Sequence, residues 1–292
     1  MKAGLYTRVL KDDKEKKFFH ELTAYLIDQG VSVSLHEHLY RHLEEKSIES
    51  PVNSVFYTDS LCISDLDVII SIGGDGTILD TVAIAGKSGV PILGINTGRL
   101  GFLSSISAEH YKKAISDMLR GAYDLDKRSL LQLDASVGLF NFNYALNDFV
   151  IHKKETSSMI TVHTFLNGEH LNSYWADGLI ISTPTGSSGY ALSCGGPILF
   201  PRSASFGITP IAPHNLNVRP VIVPDDQVLS FEIEGRSRSY LASLDSRSVS
   251  ITPEVQMAVK KADFTVNLVR FENENFIKTL RQKMMWGADG RN

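Results

Sequence analysis

The sequence is poor in cysteine, in long apolar runs and in excess charge of either sign. Its 292 residues include two cysteines, Cys62 and Cys194, which are too few for a disulfide framework and form no C-x-x-C pair. No stretch approaches the roughly 18 uninterrupted apolar residues that a membrane-spanning helix needs. Charged residues interrupt the N-terminal segment before an apolar run of signal-peptide length can form. We therefore expect a cytoplasmic protein with no membrane partner.

The charge balance argues against a nucleic-acid partner. The chain has 29 Lys and Arg residues against 33 Asp and Glu residues, for a formal net charge of -4. A protein that binds nucleic acid through its phosphates usually carries a basic surface. With 43% hydrophobic and 21% charged residues, the composition is that of a globular chain long enough to bury a sizeable core.

Residues 1–127 alternate strand-like and helix-like patterns, which is typical of a Rossmann-like parallel sheet flanked by helices. We therefore predict an α/β domain over this range. The predicted strands are Ala3–Val9, Val31–Leu35, Asp67–Ile72 and Val90–Ile95, and the predicted helices are Phe18–Ile27, Thr77–Gly86 and Ala108–Arg120.

Residues 128–272 favour an all-β domain, and residues 273–292 return to helical character. Turn signals at Asn167-Gly168 and Pro224-Asp225-Asp226 separate strand-like segments. These segments are Leu130–Val137, Tyr144–His152, Ile160–Leu166, Val228–Ile233 and Phe264–Phe271. We expect a final helix over Glu274–Trp286 that packs back on the first domain.

The most informative residues are the five of the glycine loop, Gly73–Thr77, which read GGDGT. They follow a buried strand and precede a helix, at the edge where ligands bind to open α/β sheets. Glycines let the backbone approach a phosphate closely, and a helix N-terminus favours negative charge. Neither common nucleotide fingerprint fits, because no G-K-[ST] follows and Leu79 replaces the last glycine of G-x-G-x-x-G.

Asp75 is unusual within a loop of this kind, because a carboxylate repels phosphate. A carboxylate there is useful if it accepts a proton from an attacking hydroxyl or helps to hold a metal ion. Asp is also a frequent helix cap, so a purely structural role for Asp75 is an equal alternative, and the two roles can coexist.

Five blocks of this chain, taken in order, resemble the NAD kinase family. The GGDGT loop alone resembles a wider superfamily that includes diacylglycerol kinases, sphingosine kinases and phosphofructokinases. Four further blocks narrow the resemblance to the NAD kinase family. They are LGFL at Leu100–Leu103, Asn147-Asp148, ADGLIISTPTGSSGY at residues 176–190, and the block at residues 209–224.

The resemblance implies an α/β domain, a β-rich domain and phosphoryl transfer from ATP to the 2′-hydroxyl of the adenosine ribose of NAD. Mg²⁺ or another divalent cation would accompany ATP, with no dedicated protein metal site. Self-association as a homodimer or homotetramer is expected. Polyphosphate remains an alternative donor.

The resemblance also assigns site residues. Asp75 is the implied catalytic carboxylate, Asn147 and Asp148 the adenosine ligands, and Asp177 the residue at the nicotinamide end. Other members cover the ligand, line its pocket or contact it through the backbone. The full implied binding set is Gly76, Phe102, Asn147, Asp148, Asp177, Thr185, Ser188, Gly189, Tyr190, Ala191, Leu192, Ser193, Ala212 and Arg247.

Four positions depart from the family pattern. Ser188-Gly189 replaces the common Thr-Ala but keeps the hydroxyl. Asp148 replaces Glu and is one methylene shorter. Arg247 replaces Gln and adds a positive charge that could suit a phosphate.

Two rival functions remain open from the sequence. A lipid kinase of the same superfamily would need an apolar entrance, whereas Asn147, Asp148 and Asp177 indicate a polar ligand. A non-catalytic NAD(P) sensor on this fold would have little use for Asp75. An assay for NADP formed from NAD and Mg-ATP separates the three functions.

Overall fold

The computed structural model describes residues 1–58, 60–98, 101–104, 106–154, 158–272 and 275–285. The chain divides into two compact units. The first comprises Met1–Lys127 and the chain from Val266 onward, and the second comprises Arg128–Thr265. The chain therefore re-enters the first unit before residue 273, because Leu268 already pairs with Ile92 of that unit.

The elements follow in chain order. From the N-terminus they are β1 (Lys2–Tyr6), α1 (Asp13–Asp28), β2 (Ser32–His36), α2 (Glu37–Glu45), β3 (Val55–Phe56), α3 (Ser60–Ser64), β4 (Val68–Ile72), α4 (Asp75–Ala85), β5 (Ile92–Asn96), β6 (Ile106–Ser107) and α5 (Tyr111–Leu119). The strands β7 (Asp124–Ala135), β8 (Tyr144–Ala145), β9 (Asp148–Lys153), β10 (Ile160–Leu166), β11 (Glu169–Ala176) and β12 (Gly178–Ser182) follow. The rest are α6 (Tyr190–Ser193), β13 (Ser205–Ile211), β14 (Val221–Pro224), β15 (Leu229–Glu234), β16 (Tyr240–Leu244), β17 (Arg247–Ile251), β18 (Met257–Arg270) and α7 (Phe276–Met284).

A parallel sheet forms the centre of the first unit, in the strand order β3-β2-β1-β4-β5, and β6 is parallel to β5. Strand β4 is buried along its whole length, as its β-branched sequence predicts. This confirms the predicted α/β fold. The carboxyl ends of β1, β4 and β5 meet at one edge, where the glycine loop begins.

Helix α1 shows how local signals define an element. Its N-cap, Asp12, accepts a hydrogen bond from the backbone N–H of Glu15 at 2.8 Å. Phe19, Leu22 and Leu26 are buried at helical spacing, as predicted. Ile27 is 49% exposed, because it lies one residue past Leu26 and therefore points away from the sheet.

The second unit is built of antiparallel strands, which confirms the predicted β-rich domain. One sheet has the order β14-β13-β12-β9-β16-β17, and the other contains β11, β10, β15 and the first part of β18. Large buried rings, including Phe149, Phe206 and Phe231, pack in its core. The Asn167-Gly168 turn joins β10 to β11 with both residues at positive φ, as a tight hairpin requires.

The final helix, α7, belongs to the first unit, as predicted. It begins after the N-cap Asn275, Leu280 is buried, and the ring of Phe276 lies 6.4 Å from that of Phe102. The predicted end residues Glu274 and Trp286 lie outside the described residues. Among the helices that the structure describes, none is long and apolar enough to cross a bilayer.

Candidate active site

The glycine loop opens onto a cleft of about 450 Å³ in the first unit. Its walls come from the carboxyl ends of three parallel strands and from the loop itself. The lining residues are Thr7, Arg8, Val9, Leu10, Lys11, Glu15, Ile72, Gly73, Gly74, Gly76, Thr77, Asn96, Thr97 and Gly98. Gly73 has a φ of +141°, a conformation that strains any other residue. Backbone, a helix N-terminus and two cationic side chains therefore surround a space of the size that a phosphate chain needs.

Asp75 is the first residue of α4, and its carboxylate is held by the loop at residues 101–104. Oδ2 accepts the backbone N–H of Phe102 at 2.8 Å, and Oδ1 accepts those of Leu103 and Ser104 at 3.0 Å each. The helix cap is Gly74, which makes no side-chain capping bond. The capping alternative for Asp75 is therefore wrong: the carboxylate faces a second loop instead of its own helix.

This arrangement leaves Asp75 with capacity for a hydroxyl proton. A carboxylate offers about four lone-pair sites, and the three N–H groups use three of them. Among the described residues, Oδ1 accepts two of these bonds and Oδ2 one, which leaves a lone-pair site on Oδ2. The loop fixes the orientation of the carboxylate without filling it.

Gly101 makes the close approach possible. A Cβ atom at this position would lie 1.8 Å from Oδ1 of Asp75. Phe102 follows, and its carbonyl accepts a bond from Arg270 at 3.3 Å while its ring contacts Phe276. Of the block Leu100–Leu103, Leu100 lies outside the described residues.

In the second unit, the predicted adenosine ligands Asn147 and Asp148 lie just before β9 and at its first residue, where a buried carboxylate organises the backbone. Asp245 accepts the backbone N–H groups of Leu146 at 3.0 Å, Asn147 at 2.7 Å and Asp148 at 3.2 Å. These bonds interrupt the predicted single strand Tyr144–His152, which forms β8 and β9 instead. Sequence reasoning gave Asp245 no role of its own; it lies at the two-residue turn between β16 and β17 with φ of 51°.

Asp148 is itself buried and close to Asp245. Burial and the neighbouring carboxylate raise the pKa of Asp148 to about 7, with burial the larger cause. Burial also raises the pKa of Asp245. The three backbone N–H groups that it accepts lower this pKa, but burial has the larger effect. Two carboxyl groups with perturbed pKa values at one loop mark a functional region.

Backbone contacts join the Asn147 loop to the PTG turn that follows β12. Thr183 donates its backbone N–H to Asn147 at 2.8 Å and its hydroxyl to Leu146 at 2.5 Å. A Cβ on Gly186 would lie 2.0 Å from the carbonyl oxygen of Asn147, and one on Gly189 would lie 3.8 Å from the Asn147 amide nitrogen. The structure thus brings Asn147, Gly186 and Gly189 together, although Asn147 and Gly186 are far apart in the sequence.

Arg128 orients Thr185, one of the predicted pocket residues. The guanidinium is 4% exposed and donates to the Thr185 hydroxyl oxygen at 3.0 Å. Since arginine has no acceptor, the Thr185 hydroxyl oxygen accepts this bond and its proton points away from Arg128. Sequence reasoning missed Arg128, because a lone arginine at a domain boundary resembles a surface charge. Ser188 donates its hydroxyl to the carbonyl of Thr185 at 3.2 Å.

Asp177, the predicted nicotinamide-end residue, forms an ion pair with Lys153 at 2.5 Å. Lys153 was also missed by sequence reasoning. Burial raises the pKa of Tyr190, and the charges of Cys194, Asp148 and Asp177 act in the same direction. Ile211 pairs with Gly178 in the antiparallel strands β13 and β12, so the next residue, Ala212, lies opposite Asp177. Ala212 has a φ of 44°.

Other members of the predicted set have contacts that limit their roles. Ala191 is buried against Val150, Ile180 and Ile211, so its side chain faces the core. Leu192 and Ser193 complete the short helix α6 with partly and fully exposed side chains, respectively.

Arg247 holds a neighbouring loop. Its guanidinium donates to the carbonyls of Phe142 and Tyr144 and lies 5.2 Å from the centre of the Phe142 ring. These contacts favour a structural role for Arg247 over the phosphate contact that its charge allowed.

The fold and the glycine-loop site together define a phosphotransferase built from an α/β unit and a β unit. Two family models match this chain: the ATP-NAD kinase N-terminal domain over residues 8–123 and the ATP-NAD kinase C-terminal domain over residues 146–271. The chain belongs to the ATP-NAD kinase family.

Individual relatives agree with the family match. An NAD kinase of Cytophaga hutchinsonii is 45% identical over 290 residues and covers 99% of both chains, and one of Flavobacterium johnsoniae is 43% identical over the full length of both. Among solved structures, an Archaeoglobus fulgidus NAD kinase in complex with ATP aligns with a TM-score of 0.76 at 25% identity over 98% of this chain and 99% of its own. Yeast NADH kinase complexed with NADH aligns with a TM-score of 0.86 over 99% of this chain and 89% of its own, and at 22% identity it shows the shared fold.

Proposed function

We propose that this protein transfers the γ-phosphate of ATP to the 2′-hydroxyl of the adenosine ribose of NAD, giving NADP and ADP. The observation that carries the proposal is Asp75: a carboxylate in a phosphate-type glycine loop, fixed by three backbone N–H groups, with one acceptor site left on Oδ2. The names of the relatives support the same reaction, since they are NAD kinases.

The proposed step uses Asp75 as a general base. Oδ2 takes the proton of the 2′-hydroxyl as the ribose oxygen attacks the γ-phosphorus. The bond between that phosphorus and the bridging oxygen to the β-phosphate breaks, and ADP leaves. Transfer of this kind depends mainly on positioning and charge stabilisation, so a base fixed by its surroundings is an advantage.

NAD recognition is assigned to the second unit. The Asn147 amide can pair with an adenine edge, and Asp148 can bind the ribose hydroxyls. The bonds from Asp245 to their backbone support this assignment, because a recognition loop needs a defined shape before it binds. Asp177 is assigned to the nicotinamide end, where Lys153 offsets its charge.

Mg²⁺ is proposed to enter with ATP. It prefers phosphate oxygens, water and one or two carboxylates. The described cleft lining contains one carboxylate, Glu15, so ATP phosphates and water would supply most ligands. In the part of the chain that the structure describes, no three His, Cys, Asp or Glu side chains group in a metal-binding arrangement. A homo-oligomeric state and a cytoplasmic location complete the proposal.

An assay with 2′-deoxy-NAD tests the acceptor. Purified protein with Mg-ATP should convert NAD to NADP and should incorporate no phosphate into 2′-deoxy-NAD, while the analogue still competes with NAD. 3′-Deoxy-NAD is the matched control and should be phosphorylated. Incorporation into 2′-deoxy-NAD at the rate seen with NAD would identify another hydroxyl as the acceptor and would disprove the proposal.

A further inference from the structure

Arg8 links the end of β1 to helix α4 beside the glycine loop. Its Nη2 donates to Oδ1 of Asp80 at 2.7 Å, and its Nε donates to Oδ2 of the same carboxylate. Nη2 also donates to the carbonyl oxygen of Gly76 at 3.0 Å, and the Tyr6 hydroxyl donates to Asp80 at 3.3 Å. One guanidinium therefore bridges a helical carboxylate and the glycine loop.

This geometry differs from that of an ordinary surface ion pair. Exposed pairs contribute little to stability and move freely. Here Nε and Nη2 of Arg8 contact the two carboxylate oxygens of Asp80. The further bond from Nη2 to the Gly76 carbonyl holds the guanidinium in one orientation. Asp80 is the less exposed partner, with 24% of its side chain accessible against 45% for Arg8. The pair thus holds a partly accessible cation in one place.

The place is the wall of the cleft. Arg8 lines it together with Gly73, Gly74 and Gly76, and its Nη1 lies 3.2 Å from the position that a Cβ on Gly76 would occupy. Lys11 adds a second cation, and the single lining carboxylate, Glu15, accepts the backbone N–H of Lys11 at 2.7 Å. Glycine backbone and a fixed guanidinium form a surface that suits the anionic oxygens of a phosphate chain.

We propose that Arg8 binds the polyphosphate of the phosphate donor and that Asp80 is the positioning residue that aims its guanidinium into the cleft. The proposal rests on the proposed kinase function and adds to it a protein contact with the phosphate donor. The expected loss on removing Arg8 is selective: the donor binds more weakly, while NAD, whose adenosine and nicotinamide ends are assigned to the second unit, binds as before.

Steady-state kinetics of four variants provide the test. Arg8→Ala should raise the KM for Mg-ATP about 10- to 100-fold, the loss of one or two hydrogen bonds to a charged group, with less than a twofold change in the KM for NAD. Arg8→Lys, which keeps the charge but not the fork, should fall between wild type and Arg8→Ala. Asp80→Asn should raise the KM for Mg-ATP about 3- to 10-fold, because one neutral acceptor replaces the paired carboxylate. Arg41→Ala removes an exposed ion pair with Glu37 on α2 and should change neither KM.

Direct binding separates this proposal from the proposed reaction. Calorimetry with inorganic triphosphate should show binding to wild type that weakens about 10- to 100-fold in Arg8→Ala. If wild type forms no NADP yet shows this dependence on Arg8, the proposed reaction fails and the donor contact stands. If Arg8→Ala and Arg8→Lys match wild type in triphosphate affinity and in the KM for Mg-ATP, Arg8 is a structural tie and the inference is wrong. If Arg8→Ala misfolds, the KM values of Arg8→Lys and Asp80→Asn for Mg-ATP test the same inference.

Discussion

At the residue scale, two aspartates in this protein lie in opposite surroundings. Asp75 is surrounded by backbone N–H donors, which fix the orientation of its carboxylate. Asp148 is buried beside the carboxylate of Asp245, and both conditions favour its protonated form. The sequence shows both as acidic residues in motifs. Only their surroundings separate a candidate base from a recognition residue with a pKa near neutrality.

Replacement of Asp75 by Asn tests the base. The amide is isosteric, so it should leave NAD affinity within about twofold, whereas loss of a general base should lower kcat about 10²- to 10⁴-fold. Single-turnover measurement of NADP formation, together with NAD titration by calorimetry, would check both. Asp28→Asn, which changes an exposed carboxylate at the end of α1, is the control and should keep normal turnover. Near-normal turnover of Asp75→Asn would leave Asp75 as an anchor for the loop at residues 101–104.

Replacement of Asp148 by Asn should alter the pH dependence of stability. Because the folded protein binds this proton more tightly than the unfolded chain, the group contributes full stability below about pH 4 and loses it as the pH rises through about 7. Asn does not titrate, so the stability of Asp148→Asn relative to wild type should increase between pH 5 and pH 8. Urea unfolding at several pH values measures this difference. Asp226→Asn, an exposed control, should follow wild type, and parallel curves for wild type and Asp148→Asn would refute the raised pKa.

At the scale of elements, the site depends on loops that fit against one another. The loop at residues 101–104 approaches α4 so closely that only glycine fits at position 101. The loop at residues 146–148 is folded by the turn between β16 and β17, almost a hundred residues later in the chain. Regular strands and helices carry these loops, but their shapes come from contacts that are distant in sequence.

Gly101→Ala tests the first of these contacts. Its methyl group would overlap Oδ1 of Asp75, so the carboxylate must turn away from the N–H groups that hold it. We expect kcat to fall about 10²-fold, the order of loss that a misplaced catalytic group produces. Steady-state assay for NADP measures it. The control is Gly138→Ala, where no atom lies within 4 Å of the added methyl and turnover should be unchanged. Normal turnover of Gly101→Ala would mean that Asp75 does not need its observed orientation.

At the scale of the whole molecule, ligand binding should raise the free energy of unfolding. A ligand that binds only the folded state at about 100 times its Kd adds about 2.7 kcal/mol, which is a shift of a few degrees in Tm for a chain of this size. NAD should therefore raise the Tm of wild type. Asn147→Ala should lose most of this shift while its Tm without NAD stays within about two degrees of wild type. Asn53→Ala, an exposed control in the first unit, should keep the full shift. A collapsed Tm for Asn147→Ala with normal NAD binding would make Asn147 a structural residue.

Much of the fold was predictable because its signals are local. The buried run at Val68–Ile72, the helical stripe of Phe19, Leu22 and Leu26, and the Asn167-Gly168 turn each act over a few residues. Helix α2 was missed, because it begins directly after β2 with no turn residue to separate them. Strands β12 and β13 escaped a strand prediction because they show no alternation: β12 is buried throughout and β13 at every residue after Ser205.

The sequence by itself determined the two-unit α/β and β organisation, the glycine loop with its acidic residue, and the family to which the chain belongs. The tertiary structure decided what the motif residues contact. It showed that Asp75 binds a loop instead of capping its helix, that Asp245 shapes the Asn147 loop, and that Arg247 holds carbonyl groups. The physical reason is range: periodicity and turn chemistry act between neighbours in the chain, whereas hydrogen bonds, burial and pKa depend on groups that only folding brings together.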